Sequence, residues 1–300
     1  MLEHLKRRRV LLAALLNVPL LVACATRRQA TATDNAETSV TRQLALLEQT
    51  SGVRLGVAAL DTGNGRRFGY REDERFPMCS TFKMLAGAAV LARSAAERGL
   101  LQRRMLIHKE DLLAGYVPIT SKHVGSEMTV EQLCVAAISY SDNAAGNLLL
   151  EVLGGPAALT AYVRTLGDPA TRLDRTEPEL DTAIPGDPRD TTTPVAMLGT
   201  MRQFLLTDAL PSEARSLLQT WLINNTTGNQ RIRAGVPANW RVGDKTGSGR
   251  NGAIGDVAII WPPDRAPILL TIYAGPTTDG RDSPSTLIAS ATKVIASAYA

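Results

Sequence analysis

The sequence predicts an α+β fold: a five-stranded antiparallel sheet flanked by terminal helices, with an all-helical lobe inserted between its strands. Three observations predict it. Two strand-like runs stand near the start of the chain and three near its end. The stretch between them, from about residue 81 to 230, is rich in Ala and Leu at helical spacing. A turn-rich segment, Asp61 to Gly65, joins the first two strands. A period of two marks a pleated strand and a period near 3.6 a helix, so the sheet is built from both ends of the chain around a helical insert.

In order along the chain, Val40 to Gln49 carries Leu44, Leu46 and Leu47 at helical spacing and opens the folded domain. Val53 to Leu60 and Arg66 to Tyr70 read as strands joined by Asp61-Thr62-Gly63-Asn64-Gly65, a turn-rich hairpin connection. Helices are expected over Phe82–Arg98, Thr129–Ile138, Ala144–Leu153, Pro156–Leu166, Thr193–Leu206 and Ser212–Asn224. From Arg172 to Thr193 periodicity gives way to Pro, Asp and Thr, the composition of a long structured loop, a type that often carries function. Trp240–Thr246, Ala253–Trp261 and Ile268–Ala274 complete the sheet, and a helix follows from Ser283. No internal repeat is visible.

A chain of 300 residues that is 44% hydrophobic can bury a substantial core. Its first 24 residues read as a signal peptide: Lys6, Arg7, Arg8 and Arg9 precede an apolar stretch from Val10 to Ala23, too short to span a bilayer comfortably. Two exits from it compete. Leu21-Val22-Ala23-Cys24 fits a lipobox, which would anchor the protein to membrane through a lipid on Cys24, whereas Ala23-Cys24-Ala25 fits ordinary small-x-small cleavage. Residues 25–39 are small and polar and suit a flexible tether to a domain spanning 40–300. The expected location is the periplasm, free or anchored.

The formal charge of +4 comes largely from this leader. It holds four of the 33 basic and one of the 29 acidic residues, leaving 29 against 28. No basic stripe interleaves with aromatics, so nothing suggests nucleic acid. His108 and His123 have no carboxylate or cysteine at metal-ligand spacing, which gives no case for a catalytic metal.

Three short motifs carry chemistry. Ser80-Thr81-Phe82-Lys83 stands where a long helix opens, so serine and lysine share a face. A serine hydroxyl is a weak nucleophile, and a neighbouring lysine amine can take or relay its proton. Ser141-Asp142-Asn143 precedes another helix. Lys245-Thr246-Gly247 lies in a strand, where a lysine supplies positive charge and a glycine admits close backbone approach. Taken singly, the first two also fit ordinary helix caps.

In this order the three motifs are the signature of class A β-lactamases and penicillin-binding proteins. From Leu44 onward the chain resembles the class A β-lactamase family, in particular its Burkholderia-type penicillinases. Arg175-Thr176-Glu177-Pro178-Glu179-Leu180 is similar to the motif of the family's omega loop. The resemblance implies hydrolysis of penicillin-like antibiotics, with the serine β-lactamase fold, a monomer, no cofactor and a small-molecule β-lactam as partner. Ser80 would attack the lactam, Lys83 and Glu177 would share proton transfer, and Ser141 would pass a proton to the leaving nitrogen. Glu177 would then activate the water that frees the enzyme. The family leaves open which of Lys83 and Glu177 is the acylation base.

The resemblance further implies an oxyanion hole from the backbone N–H groups of Ser80 and Ser248. Asn143 would hold the substrate's side-chain amide, and Lys245, Thr246 and Ser248 its carboxylate, beside Gly247. Arg231 falls where some members place an extra arginine aimed at that carboxylate, Tyr116 would wall the cleft entrance, and Arg175 with Asp190 would close the neck of the loop. Glu177 separates this reading from two alternatives, a penicillin-binding D-alanyl-D-alanine peptidase and a β-lactam-sensing domain.

Two departures stand out. Asp181 occupies a place where the family usually has asparagine, and two carboxyls in one site resist double ionisation, so Glu177 and Asp181 are expected to titrate as a unit. Cys134 and Cys79 match disulfide halves of some members, but the partner positions hold Gly87 and Gly249, so two free thiols are expected.

Overall fold

Every residue of the strand Leu55–Asp61 (β1) is buried, although the sheet it belongs to is antiparallel. Antiparallel strands commonly alternate apolar and polar, one face being solvated. Here both faces are covered. In the computed structural model, which describes residues 36–299, alternate residues of β1 serve different cores. Leu55, Val57 and Ala59 join one apolar cluster and Ala58 and Leu60 the other. Ile254–Trp261 (β8) divides likewise, with Ala258 and Ile260 on one side and Val257 and Ile259 on the other. Because side chains alternate with period two, an apolar run through both parities requires a covered sheet on each side.

The sheet also contains Arg67–Tyr70 (β2), Arg241–Ser248 (β7) and Ile268–Ala274 (β9), and its spatial order is β2-β1-β9-β8-β7, antiparallel throughout. The smaller strands Phe76–Pro77 (β3), Arg104–Leu106 (β4), Glu127–Thr129 (β5) and Thr191–Thr192 (β6) form two two-stranded ribbons, β3 with β6 and β4 with β5. Against one face of the large sheet lie Val40 and Leu44 of a helix over 36–51 (α1) and Leu287, Ile288, Ala291 and Ile295 of Ser285–Tyr299 (α9). The other face meets Pro194–Leu206 (α6) and, beyond it, the rest of the helical lobe.

That lobe comprises Phe82–Ala96 (α2), Val130–Ser139 (α3), Asn143–Leu153 (α4), Pro156–Thr165 (α5), α6 and Ser212–Ile223 (α7), all inserted between β2 and β7. Its boundaries follow local chemistry. Thr129 and Gln132 form a reciprocal capping box that starts α3. The Asp142 side chain caps α4 through Ala145 N, and Gly154, at φ 101°, ends it. The short helix Ile232–Gly235 (α8) leads into β7.

Residues Val40–Ala300 form one compact unit. Residues 36–39, expected in the tether from their composition, are helical; Ala36 and Glu37 are good helix formers. The leader, Cys24 and the expected tether as far as residue 35 lie outside the described residues.

Candidate active site

Ser80 sits in the single 3-10 turn Cys79–Thr81 that feeds α2, and Lys83 is on the first turn of α2, three residues on. The spacing brings Lys83 Nζ to 2.7 Å from Ser80 Oγ. The same ammonium donates to Ser141 O at 2.9 Å and Asn143 Oδ1 at 2.6 Å, and meets Glu177 Oε1 at 3.0 Å. Lys83 is wholly buried, so its charge is held by four oxygens of which one belongs to a carboxylate. Gly146 on α4 permits this packing: a Cβ there would lie 2.9 Å from Lys83 Cε.

Ser141-Asp142-Asn143 divides its labour. Asp142 caps α4 and also accepts from Ile119 N, Thr120 N and Thr120 Oγ1, fixing the segment that carries Tyr116. Asn143 lies between Lys83 and that segment, its Nδ2 donating to Ala114 O at 2.8 Å and its N to Tyr116 O at 2.8 Å. Tyr116 is thus tied to the site by its backbone while its side chain stays exposed. Ser141, at φ 59°, presents its hydroxyl to Lys245 Nζ at 2.9 Å.

The long loop delivers Glu177. Its neck is closed by Arg175 Nε donating to Asp190 Oδ2 at 2.6 Å, while Asp190 Oδ1 accepts from the backbone N–H groups of Asp174 and Arg175. The Glu177–Pro178 peptide bond is cis. Ser80 Oγ donates to Glu177 Oε1 at 3.3 Å. Asp181 follows on the short helix Glu179–Thr182, and its carboxyl pKa is pushed up to about 8 by burial, with the Glu177 charge adding to it.

On the opposite wall, β7 carries Lys245, Thr246, Gly247 and Ser248 past the Ser80 turn. A Cβ on Gly247 would fall 2.6 Å from Met78 O and 3.2 Å from Thr81 N, so only glycine lets the strand approach this closely. Lys245 is buried, and among the described residues its Nζ donates to Ser141 Oγ and Thr246 O, both neutral. Burial, with the Lys83 charge nearby, lowers its pKa to about 7. Arg231 bridges two strands: Nη1 donates to Gly247 O at 2.7 Å and Gly255 O at 2.8 Å, and Nη2 to Ser248 Oγ at 2.6 Å.

The structure thus gathers Ser80, Lys83, Ser141, Asn143, Glu177, Asp181 and Lys245 around one point. Thr246, Gly247, Ser248 and Arg231 line the adjoining strand edge. Cys79 and Cys134 are both free and buried. No cluster of metal-binding side chains occurs among the described residues. A cavity of about 580 Å³ lined by Arg54, Arg75, Ile184 and Thr277 lies elsewhere and holds none of these groups.

Sequence reasoning missed Asn147 and the support beneath Lys245. Asn147 Oδ1 accepts from Glu177 N and its Nδ2 donates to Glu177 O, each at 2.9 Å, so one amide clamps the backbone of the loop acid. Its signal was its place four residues after Asn143, on the same helical face. Behind β7, Arg233 Nε donates to Asp244 Oδ1 at 2.6 Å, and Asp256 Oδ2 accepts from Ile232 N at 3.0 Å. Burial and the Asp244 charge raise the Asp256 pKa. These partners come from separate elements, and spacing gives no sign of them.

The comparisons with known proteins agree with this geometry. The chain matches the Beta-lactamase enzyme family over residues 39–299. It is 48% identical over 287 residues to Beta-lactamase CTX-M-97 of Escherichia coli, covering 96% of each chain, and 50% identical over 260 residues to Beta-lactamase CTX-M-8 of Citrobacter amalonaticus, covering 87% of this chain and 89% of that one. Among solved structures, a β-lactamase from Desulfarculus baarsii superposes with a TM-score of 0.85 at 51% identity, over 87% of this chain and 97% of that one. The class A β-lactamase of the last common ancestor of Gram-negative bacteria gives 0.83 at 58% identity, over 87% and 100%. The chain therefore belongs to the class A serine β-lactamase family.

Proposed function

We propose that the protein opens the β-lactam ring of penicillin-like antibiotics through an acyl-enzyme on Ser80 and frees itself with water activated by Glu177, thereby conferring resistance. The carrying observation is a closed triangle: Ser80 Oγ lies 2.7 Å from Lys83 Nζ and 3.3 Å from Glu177 Oε1, which are 3.0 Å from each other. In acylation Ser80 Oγ bonds to the lactam carbonyl carbon while its proton passes into the Lys83–Glu177 pair. The C–N bond breaks and the nitrogen takes the hydroxyl proton of Ser141, which Lys245 orients; the proton lifted from Ser80 replaces it, so the Lys83–Glu177 pair ends the step as it began. The N–H groups of Ser80 and Ser248 receive the developing oxyanion, Asn143 the side-chain amide, and Lys245, Thr246, Ser248 and Arg231 the carboxylate, with Tyr116 beside the entrance.

Once Ser80 is esterified it no longer offers a proton to Glu177 Oε1. That oxygen is then free to take one from water, which attacks the ester carbonyl and returns Ser80 to its hydroxyl form. The basic leader and short apolar stretch of residues 1–24 support export to the periplasm, with Cys24 as the candidate lipid anchor. The test is hydrolysis of benzylpenicillin by the wild type and by Glu177→Ala, each mixture followed by intact mass. Sustained turnover by the wild type, with the variant held as a Ser80 adduct, is the expected result. An adduct that persists on the wild type would mark a penicillin-binding peptidase or a sensor instead.

A further inference from the structure

Two carboxylate oxygens of the site, Glu177 Oε2 and Asp181 Oδ1, are buried without a hydrogen-bond partner among the described residues. The two carboxyl groups lie within hydrogen-bonding reach of each other. Two ionised carboxylates cannot satisfy one another, because each only accepts. One proton between them turns a repulsion into an O–H···O⁻ bond, among the stronger hydrogen bonds available to a protein.

The surroundings decide which group carries that proton. Glu177 Oε1 has the Lys83 ammonium at 3.0 Å and the Ser80 hydroxyl at 3.3 Å. Asp181 faces Glu177 from its own loop, Lys83 at longer range from α2, and the Cys79 thiol, a weak donor, from the Ser80 turn. The turn between β7 and β8 brings Arg250, but its backbone N–H donates to the Asp181 carbonyl at 2.7 Å and not to the carboxyl. The stronger donors thus all serve Glu177.

We propose that Asp181 is a positioning residue which carries the single proton of the pair and donates it as a hydrogen bond to Glu177, holding that base ionised and aimed at the ester carbonyl. An aspartic acid thereby does what a neutral amide donor could do, but only while protonated. Loss of the proton leaves two facing charges, releases Glu177 from its donor and slows deacylation. The burial and facing charge that raise the Asp181 pKa to about 8 place this loss just above neutrality. The inference rests on Glu177 being the deacylation base, and turnover by Glu177→Ala would overturn that reading while leaving the protonation of the pair to be judged separately.

The experiment has two readouts. Infrared spectra of the wild type minus those of Asp181→Asn, between about pH 6 and about pH 10, should show the carbonyl stretch of one protonated carboxylic acid, lost with a midpoint near pH 8, since the subtraction removes the contribution of buried Asp256. In Glu177→Gln the amide can donate to Asp181 and no charge opposes it, so the same band should disappear at lower pH. Deacylation of preformed acyl-enzyme should fall about tenfold per pH unit above the midpoint in the wild type and stay level across that range in Asp181→Asn. Acid bands that Asp181→Asn leaves unchanged, or an unchanged pH profile of deacylation in that variant, would overturn the proposal.

Discussion

Lys83 and Lys245 are both fully buried and both touch Ser141, one at its carbonyl and the other at its hydroxyl, yet their surroundings differ in one respect. Lys83 has a carboxylate at 3.0 Å, whereas the hydrogen bonds of Lys245 Nζ among the described residues go to uncharged oxygens, with Asp244 and Asp256 acting at longer range. A buried ammonium with a carboxylate partner keeps its counter-charge at hand, and one without it gives up its proton more easily. Lys83 thus has its counter-charge within the protein. Lys245 has none at hydrogen-bonding distance, and the carboxylate of the proposed substrate would supply it. The sequence presents both as a lysine in a short motif, and only their neighbours tell them apart.

The largest effect should follow from breaking the paired lysine. Lys83→Met removes the ammonium that contacts Ser80 Oγ and leaves Glu177 buried without its cation, so acylation measured by stopped flow should slow ~10³-fold. Breaking a buried pair by deleting one partner costs ~3–5 kcal/mol, an upper bound here because Glu177 can take up a proton instead. Acylation within tenfold of the wild type would show that Lys83 is a structural counter-ion only.

The unpaired lysine gives a pH signature of definite sign. In the free enzyme Lys245 is charged below about pH 7 and loses its charge as pH rises through that value. Because kcat/KM reports the free enzyme, it should fall above about pH 7 for β-lactams that carry a carboxylate. In the complex the substrate's negative charge raises the lysine pKa again, so the acylation rate at saturating substrate should hold to higher pH. Lys245→Arg, charged at all these values, should remove the alkaline fall in kcat/KM, and Lys245→Ala should lower kcat/KM by ~10–100-fold, the worth of a hydrogen bond to a charged group. The same alkaline limb in Lys245→Arg would assign it to another group.

Much of this site was legible because its chemistry sits in contiguous motifs. Ser80 and Lys83 are one helical turn apart, and Lys245 to Ser248 are consecutive on one strand, so secondary structure alone places them. The five strands were legible for a related reason. Their apolar runs are bounded by Gly, Asn and Pro, and Ile268–Ala274 agrees with its expected limits to the residue. Where the ends differ, hydrogen bonds decide: β7 continues two residues past the expected Thr246 because Gly247 and Ser248 keep their pairing with Gly255 and Ile254. Helix α2 stops at Ala96, short of the expected Arg98, as Glu97 leaves the helical region. Arg233 and Asp256 were not legible, since each meets its partner from another element, and Asn147, though one helical turn after Asn143, acts on Glu177 only through the backbone.

Asn147 offers the finest test of how Glu177 is held within the Lys83 half of the site. Its amide satisfies both the N–H and the C=O of Glu177 at 2.9 Å, so Asn147→Ala leaves two backbone groups of the loop without their protein partner. An unmet buried polar group costs ~1–3 kcal/mol, and a fall in melting temperature of ~2–4 °C per kcal/mol follows for a domain of this size. Rate should suffer unequally. Ser80 and Lys83 keep their contact on α2, so acylation should change little, whereas deacylation needs Glu177 placed against the ester and should fall ~10-fold with the loosened backbone. Equal loss in both steps would mean that the clamp supports the whole site. Loss in deacylation alone would show that the loop acid is positioned through its main chain as well as by the groups around its carboxylate.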